Sequence, residues 1–501
     1  MMDTPEKKES YFHNWITVVG GILSASFFSV LLFLIILDFW SKESNPYLGV
    51  ITYLVIPVFF VISLVLIPLG AWRERRRRYQ RGYVRQFPRI DFNNPTHQRW
   101  AYTTITVATL FLLFSMLGTY RAYEFTESVK FCGQVCHNVM EPEYTAYQHS
   151  PHARVSCVNC HIGPGAKWYV HSKLTGTYQV YSTLFKRFPR PIETPIKNLR
   201  PAQETCEQCH WPKAFFGAVE QDHEYFLSDE QNTRWKTRML MFVGGGTPPY
   251  GKREGIHWHM NIQNQVYYIA TDKKRQVIPW IKKISPDGRE EIYVDETSGY
   301  SSAVPPRGEM RRMDCMDCHN RPSHIFRSPM EAVNEALAYG AIDPELPFIK
   351  REAIKALLVN YASHDEAAIK IREQLEKFYR DKYPVVSAEK NGSLDQAVKA
   401  VAEIYRENFF PKMNVSWKVY PDNIGHMIFP GCFRCHDGQH KTPQGKVLRN
   451  DCNICHVITA QGTTDAMETK VEGLEFKHPD EGVGDAWKEM KCYDCHTGGA
   501  D

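Results

Sequence analysis

The chain has 501 residues, a formal net charge of +4 and 43% hydrophobic residues. A length of this order holds about two to four domains with cores large enough to need no disulfide or metal support. The near-neutral balance and ordinary apolar content place it in no extreme compositional class, so its organisation lies in how residues are distributed along the chain.

Three apolar segments come first, at about 15–37, 46–69 and 101–119. Each is long enough to cross roughly 30 Å of hydrocarbon as a helix, and none carries a charge inside. Trp15, Trp40, Tyr47, Trp72, Trp100 and Tyr120 flank them at the depth where interfacial aromatics settle. Residues 71–100 hold nine arginines against Glu74 and Asp91. A short basic loop between two spans reads as cytoplasmic, which puts the N-terminus inside and everything after the third span outside. That loop needs no nucleic acid to explain it. The first span lacks a small-residue cleavage site, so residues 1–125 read as an uncleaved anchor.

All 14 cysteines follow the third span. Six pairs have the form C-x-x-C-H: Cys157/Cys160/His161, Cys206/Cys209/His210, Cys315/Cys318/His319, Cys432/Cys435/His436, Cys452/Cys455/His456 and Cys492/Cys495/His496. A seventh, Cys132/Cys136/His137, has one extra residue between its cysteines. Two thiols about one turn apart can add across the two vinyl groups of one haem, and the adjacent His then falls under the ring to bind iron. A disulfide framework gives no reason for the repeated His, and zinc needs ligands gathered in fours. The pattern therefore predicts seven covalent c-type haems.

Low-spin electron-transfer haems want a second strong ligand. Outside the motifs and the cytoplasmic side, 11 histidines remain for this role: His149, His152, His171, His223, His257, His259, His324, His364, His426, His440 and His478. The favoured six are His152, His259, His324, His426, His440 and His478, with His149 an alternative to His152 and His257 to His259.

The fold expected is mixed: a three-helix transmembrane anchor, then a haem-packed, mostly α and irregular multihaem cytochrome c domain. Residues 126–330 form a tetrahaem region with a β-rich insert at 238–300, where Val266–Ala270 and Glu291–Val294 have strand character. Residues 331–420 show helical periodicity and no cysteine, as a helical spacer would. Residues 421–501 crowd the last three motifs into a smaller trihaem domain. The region 101–501 sums to about −1 from the sequence, and haem propionates would make it acidic, favouring partners with a basic docking patch.

From Thr126 to His137, again from Glu204 to Trp211, and at Cys315–His319 followed by His324, the sequence resembles the NapC/NirT family of membrane-anchored quinol dehydrogenases. The resemblance covers about residues 100–325. It implies that the membrane helix leads into a first haem that oxidises quinol at the membrane surface. It also implies Met140 as a ligand of that haem and Lys173 at the quinol site. Gln179 stands where the family has an acid, so proton acceptance falls to another group, such as His171, or to water. The extra spans, helical insert and three C-terminal motifs are similar to seven-haem inner-membrane cytochromes of metal-reducing bacteria. That similarity implies menaquinol as substrate, periplasmic electron-acceptor cytochromes as partners, and extracellular acceptors beyond them. The rivals are a terminal reductase acting on nitrite or a sulfur oxyanion, or an anchor and wire for a partner reductase. A homo-oligomer is left open.

Overall fold

The computed structural model describes residues 10–40, 52, 55–81, 91–135, 137–163, 165–196, 200–211, 215–244, 255–260 and 264–499. Cys136, the side chain of His137, most of residues 46–55, and Arg85 and Arg89 of the basic loop lie outside the described residues. The chain divides into two compact units, Met1–Glu127 with Ile162–Tyr178, and Ser128–His161 with Gln179–Asp501.

The first unit contains helices α1 (Trp15–Trp40), α2 (Ile56–Arg81) and α3 (Pro95–Thr126), all long and apolar enough to cross a membrane. Helices α1 and α2 form an antiparallel pair. Ser24 Oγ donates to Ser63 Oγ at 2.9 Å in its buried seam, and Phe27 stacks on Phe59 at 5.7 Å. Polar side chains bonded across apolar helices are the usual glue inside lipid, worth about 0.6–2 kcal/mol each. The basic end of α2 is ordered by its own charges: Arg78 bonds Glu74 at 3.1 Å and lies over the Tyr11 ring. Helix α3 starts at the Asn94 cap with Pro95 at its first position, and is about 48 Å long. Ile105, Phe111 and Phe114 are all exposed, on different faces of the helix, an apolar surface that water would not tolerate and lipid would cover. That exposure does not fit a buried soluble helix, the alternative for this more polar third segment.

The second unit opens with a π-helical turn at Phe131–Val135 and helix α4 (His137–Gln148). Further on come helix α5 (Ala166–Leu184), which the division between units crosses after Tyr178, and two antiparallel sheets. Strands β1 (Ala218–Phe226) and β2 (Arg234–Phe242) precede β3 (Gln265–Ile269), β4 (Trp280–Ile284), β5 (Glu290–Asp295) and β6 (Arg311–Arg312). Strands β7 (His440–Lys441), β8 (His456–Thr463) and β9 (Met467–Leu474) come from the C-terminal part. One sheet has the order β1-β2-β8-β9 and the other β6-β3-β4-β5-β7. The strand-rich insert is therefore present, but it starts earlier than 238. The last three motifs do not stand apart as a smaller domain either. Strand β8 pairs with β2 and β7 with β5, because two short hairpins with bare edges are marginal until another strand covers them.

The core sits in the helical spacer. Helices α6 (Pro329–Ala338), α7 (Ile349–Leu357), α8 (His364–Lys382) and α9 (Asn391–Asn408) carry apolar residues at helical spacing. Ile371, Leu375 and Tyr379 on α8, and Ala397, Val398 and Val401 on α9, are all but fully buried. Ser328 caps α6 in a reciprocal pair with Glu331, and Ser363 caps α8.

Candidate functional site

Each C-x-x-C-H motif is folded as a single helical turn. The backbone N–H of His210, His319, His436 and His496 donates to the carbonyl of the first cysteine in its own motif, at 2.8, 2.8, 3.0 and 2.8 Å. That bond brings both thiols and the imidazole to one side of the turn. The turn at motif four is pinned further: Asp314 and Asp317 cap it reciprocally, and buried Asp317 accepts from Tyr268 Oη at 2.5 Å and Arg311 Nε at 3.0 Å. The first motif solves its extra residue differently. The π turn, closed by bonds five residues apart instead of four, absorbs the insertion. Gly133 is required inside it, since a Cβ there would overlap the Tyr144 ring.

The six motif histidines whose side chains are described each face a second histidine. Ring centres are 6.3 Å apart for His161 and His324, 6.0 Å for His210 and His152, and 6.4 Å for His319 and His257. They are 5.9 Å apart for His436 and His259, 6.2 Å for His456 and His426, and 5.9 Å for His496 and His478. Two iron–imidazole bonds of about 2 Å, with the offset from each nitrogen to its ring centre, span about 6 Å across one haem iron. The residues present fit the group. Among the described residues no cluster of three or more His, Cys, Asp or Glu could hold a metal ion, and the twelve cysteines from Cys157 to Cys495 are free thiols. Imidazoles thus come in twos, as a haem asks.

The second histidines are oriented by their other nitrogen. Nδ1 lies on a backbone carbonyl in His152 (Pro322, 3.2 Å), His257 (Val243, 2.9 Å), His259 (Ile256, 3.0 Å) and His324 (Glu143, 2.9 Å), whereas His478 Nδ1 accepts from the Asp480 N–H at 3.2 Å. A donated Nδ1–H fixes the tautomer that leaves Nε2 for a metal. Burial lowers the pKa of His161, His257, His319, His324, His426, His436 and His456, and pushes His259 down to about 4. Of the six second histidines expected from sequence, five face a motif histidine and His440 does not. Its Nδ1 is on Asp437 Oδ1 at 2.9 Å and its Nε2 on the Ile278 carbonyl at 2.7 Å, so neither nitrogen is left for iron. His257, set aside as an alternative to His259, faces His319 alongside it. His149 instead pairs with Glu407 at 3.3 Å, and His364 Nε2 is on the Phe409 carbonyl.

Successive attachment sites are neighbours in space. A hydrogen bond from the Cys132 thiol holds the Cys157 thiol down to about 7. Burial raises Cys160, with Cys157 and Cys209 adding to it. Cys206 donates to Cys315, and that bond followed by burial pushes Cys206 up. Burial raises Cys318 to about 12, with Cys432 next, and Cys455 to about 11, again with Cys432 next. Burial likewise raises Cys492, with Cys452 contributing. Motifs one to seven therefore follow one another in chain order, a spatial series the sequence does not reveal.

In the first unit, the Lys173 ammonium on α5 pairs with Glu127 and lies 4.8 Å from the centre of the Tyr169 ring. Glu127 is the C-cap of α3, where a carboxylate meets the negative end of the helix dipole, so the Lys173 charge offsets an unfavourable placement. Sequence reasoning missed Glu127. The available signal was its position, about eight residues past the third apolar segment and five residues before Cys132. Of the other expected quinol-site residues, His171 is exposed with its ring edge against Trp168 at 6.0 Å. Gln179 is exposed, its carbonyl accepting from Thr183, and Met140 is half-buried on α4.

Residues 95–195 match the model of the NapC/NirT cytochrome c family, N-terminal region. The chain is 42% identical over 500 residues to the cytochrome c-type protein ImcH of Geobacter sulfurreducens, covering 99% of this chain and 98% of that one. It is 33% identical over 78 residues to the cytochrome c-type protein NrfH of Wolinella succinogenes, covering 15% of this chain and 44% of that one. No solved structure matches. A membrane anchor, seven cysteine-pair motifs, six facing histidine pairs and a relative matched from end to end make this chain a member of the NapC/NirT family of cytochromes c.

Proposed function

We propose that the chain is a heptahaem quinol dehydrogenase. It oxidises menaquinol at the outer face of the bacterial inner membrane and passes electrons to periplasmic cytochromes, toward extracellular acceptors. The observation that carries this reading is the Lys173–Glu127 pair at the end of a membrane helix, five residues ahead of the first attaching cysteine. Quinol is confined to lipid, so its oxidation belongs where a haem site meets the bilayer surface.

Each quinol gives up two electrons and two protons and leaves as the quinone. Bound c-type haem supplies one-electron acceptance at its iron. Lys173 Nζ donates to one quinol oxygen and steadies its negative charge as the hydroxyl proton leaves. Glu127 Oε1 takes that proton and releases it to outside water. Gln179 has no proton-accepting group at neutral pH, so the acid's role passes to Glu127, and His171 relays the second proton. Met140 and His137 would hold the haem at the first motif, and the six facing histidine pairs would hold the rest. A terminal reductase needs an iron with one axial side open, and six motif histidines already face a partner.

The test is reduction by a menaquinol analogue. Lys173→Gln and Glu127→Gln should each slow it by roughly 100-fold, the usual contribution of a positioned proton-transfer group. Dithionite should still reduce all seven haems in both, and Met140→Leu should alter the spectrum of one haem only. Wild-type quinol rates in both site variants would place the quinol site elsewhere. Orientation has its own check: a reporter after Thr126 should read outside and one near Arg85 inside, and the reverse pattern would end this reading.

A further inference from the structure

The 3-10 turn Ile256–Met260 carries two histidines two residues apart, and they face different motifs. His257 faces His319 of motif four, and His259 faces His436 of motif five. At three residues per turn, positions two apart point about 120° away from each other. They cannot serve one iron, but they can serve two irons on either side of the turn.

We propose that this turn is a double ligand arm. His257 supplies the second axial ligand at motif four and His259 the one at motif five, so one rigid segment fixes the spacing between the tetrahaem and trihaem parts. The inference rests on the haem series above and is independent of the quinol site.

Three observations hold the arm rigid. Each ring has Nδ1 on a backbone carbonyl, Val243 for His257 and Ile256 for His259, leaving Nε2 for iron. Between them, Trp258 packs against the core of the second sheet, with the Lys283 ammonium 5.1 Å from its ring centre and Asn264 Nδ2 on its carbonyl at 3.0 Å. At the root of the arm the Gly255 N–H donates to the Gly244 carbonyl, and a Cβ at Gly255 would overlap the carbonyl oxygen of Phe242. The two attachment turns are clamped as well. Buried Arg434 of motif five donates to the Asp317 carbonyl of motif four at 2.6 Å, and Asn423 Nδ2 donates to the same oxygen at 3.0 Å. The proximal sides and the distal arm therefore fix the same pair of sites from opposite directions.

The ring planes make the assignment testable. His257 and His319 are nearly parallel, at 8°, whereas His259 and His436 are nearly perpendicular, at 80°. In low-spin ferric haem, parallel imidazoles give a rhombic electron paramagnetic resonance spectrum, and perpendicular ones a highly anisotropic signal. His257→Met in the full holoprotein should convert one rhombic haem to histidine–methionine ligation. His259→Met should convert one highly anisotropic haem, and the double variant should convert two. His440→Ala should leave every bis-histidine signal in place. Each single variant should also slow electron passage from motif four to motif five by at least about tenfold, read as delayed reduction of a subset of haems. Haem loading by pyridine haemochrome comes first. If a methionine variant loses haem, His259→Gly with added imidazole should restore the lost low-spin signal. Unchanged spectra, or a double variant that converts only one haem, would overturn the double arm. Failure of the quinol reading would instead appear as slow menaquinol reduction of the wild type with all ligand signals normal.

Discussion

The helical spacer and the haem-bearing segments on either side of it are stabilised by different physics. Between Phe326 and Tyr420, apolar side chains from four helices close into one large core, with Val333, Ile349, Leu357 and Leu375 fully buried. Among the described residues between 128 and 215, the buried apolar ones are Val139, Ala146, Tyr147 and Ala202. In their place stand histidine pairs and thiols at the spacing of a prosthetic group. The first region carries its own driving force for folding. The second borrows it from the haems, whose rings supply the apolar mass that its short gaps cannot.

The sharpest way to break this contrast is to make the full chain without haem attachment. Trypsin should then cut between residues 150 and 215 at least about tenfold faster than inside 329–408, because opening follows local contact and burial. Equal cleavage of both regions would mean the spacer also depends on haem. A smaller effect tests the other side. Leu375→Ala in the holoprotein should remove about 2–5 kcal/mol from the spacer while leaving the haem spectrum unchanged. A shifted spectrum would mean that the spacer core sets ligand geometry, through the contact where Arg321 reaches Glu143 at 3.1 Å and His324 Nδ1 meets the Glu143 carbonyl.

The same contrast explains what could be read from sequence. Motif cysteines obey a local covalent rule, and membrane spans and spacer helices obey local periodicity, so all three were legible. Second ligands obey a tertiary rule, since they must reach the opposite side of a ring from the motif histidine. His440 illustrates the trap. Four residues beyond His436 is close in sequence, yet its ring turns to Asp437 and the Ile278 carbonyl. His257 and His259 looked like alternatives for one site because two residues apart seems redundant, until the tight turn sends them in different directions. Strand β8 went unread because its partner β2 lies more than 200 residues earlier, and β9 pairs only with β8. Glu127 is not reachable from spacing along α5, where an acid near Gln179 would lie, because Lys173 finds its carboxylate at the end of a different helix.

That distant strand pairing has a consequence for how the protein is made. Strand β2 ends at Phe242, and its partner β8 begins only at His456. At about 5–20 residues per second, β2 waits about 10–40 s for its neighbour while the chain is synthesised. During that interval motif four at Cys315–His319 and motif five at Cys432–His436 emerge, while the sheet is still open at the β2 edge. The four-stranded sheet can therefore be completed only after motif five has been made, and β2 keeps one bare edge until the C-terminal hairpin arrives.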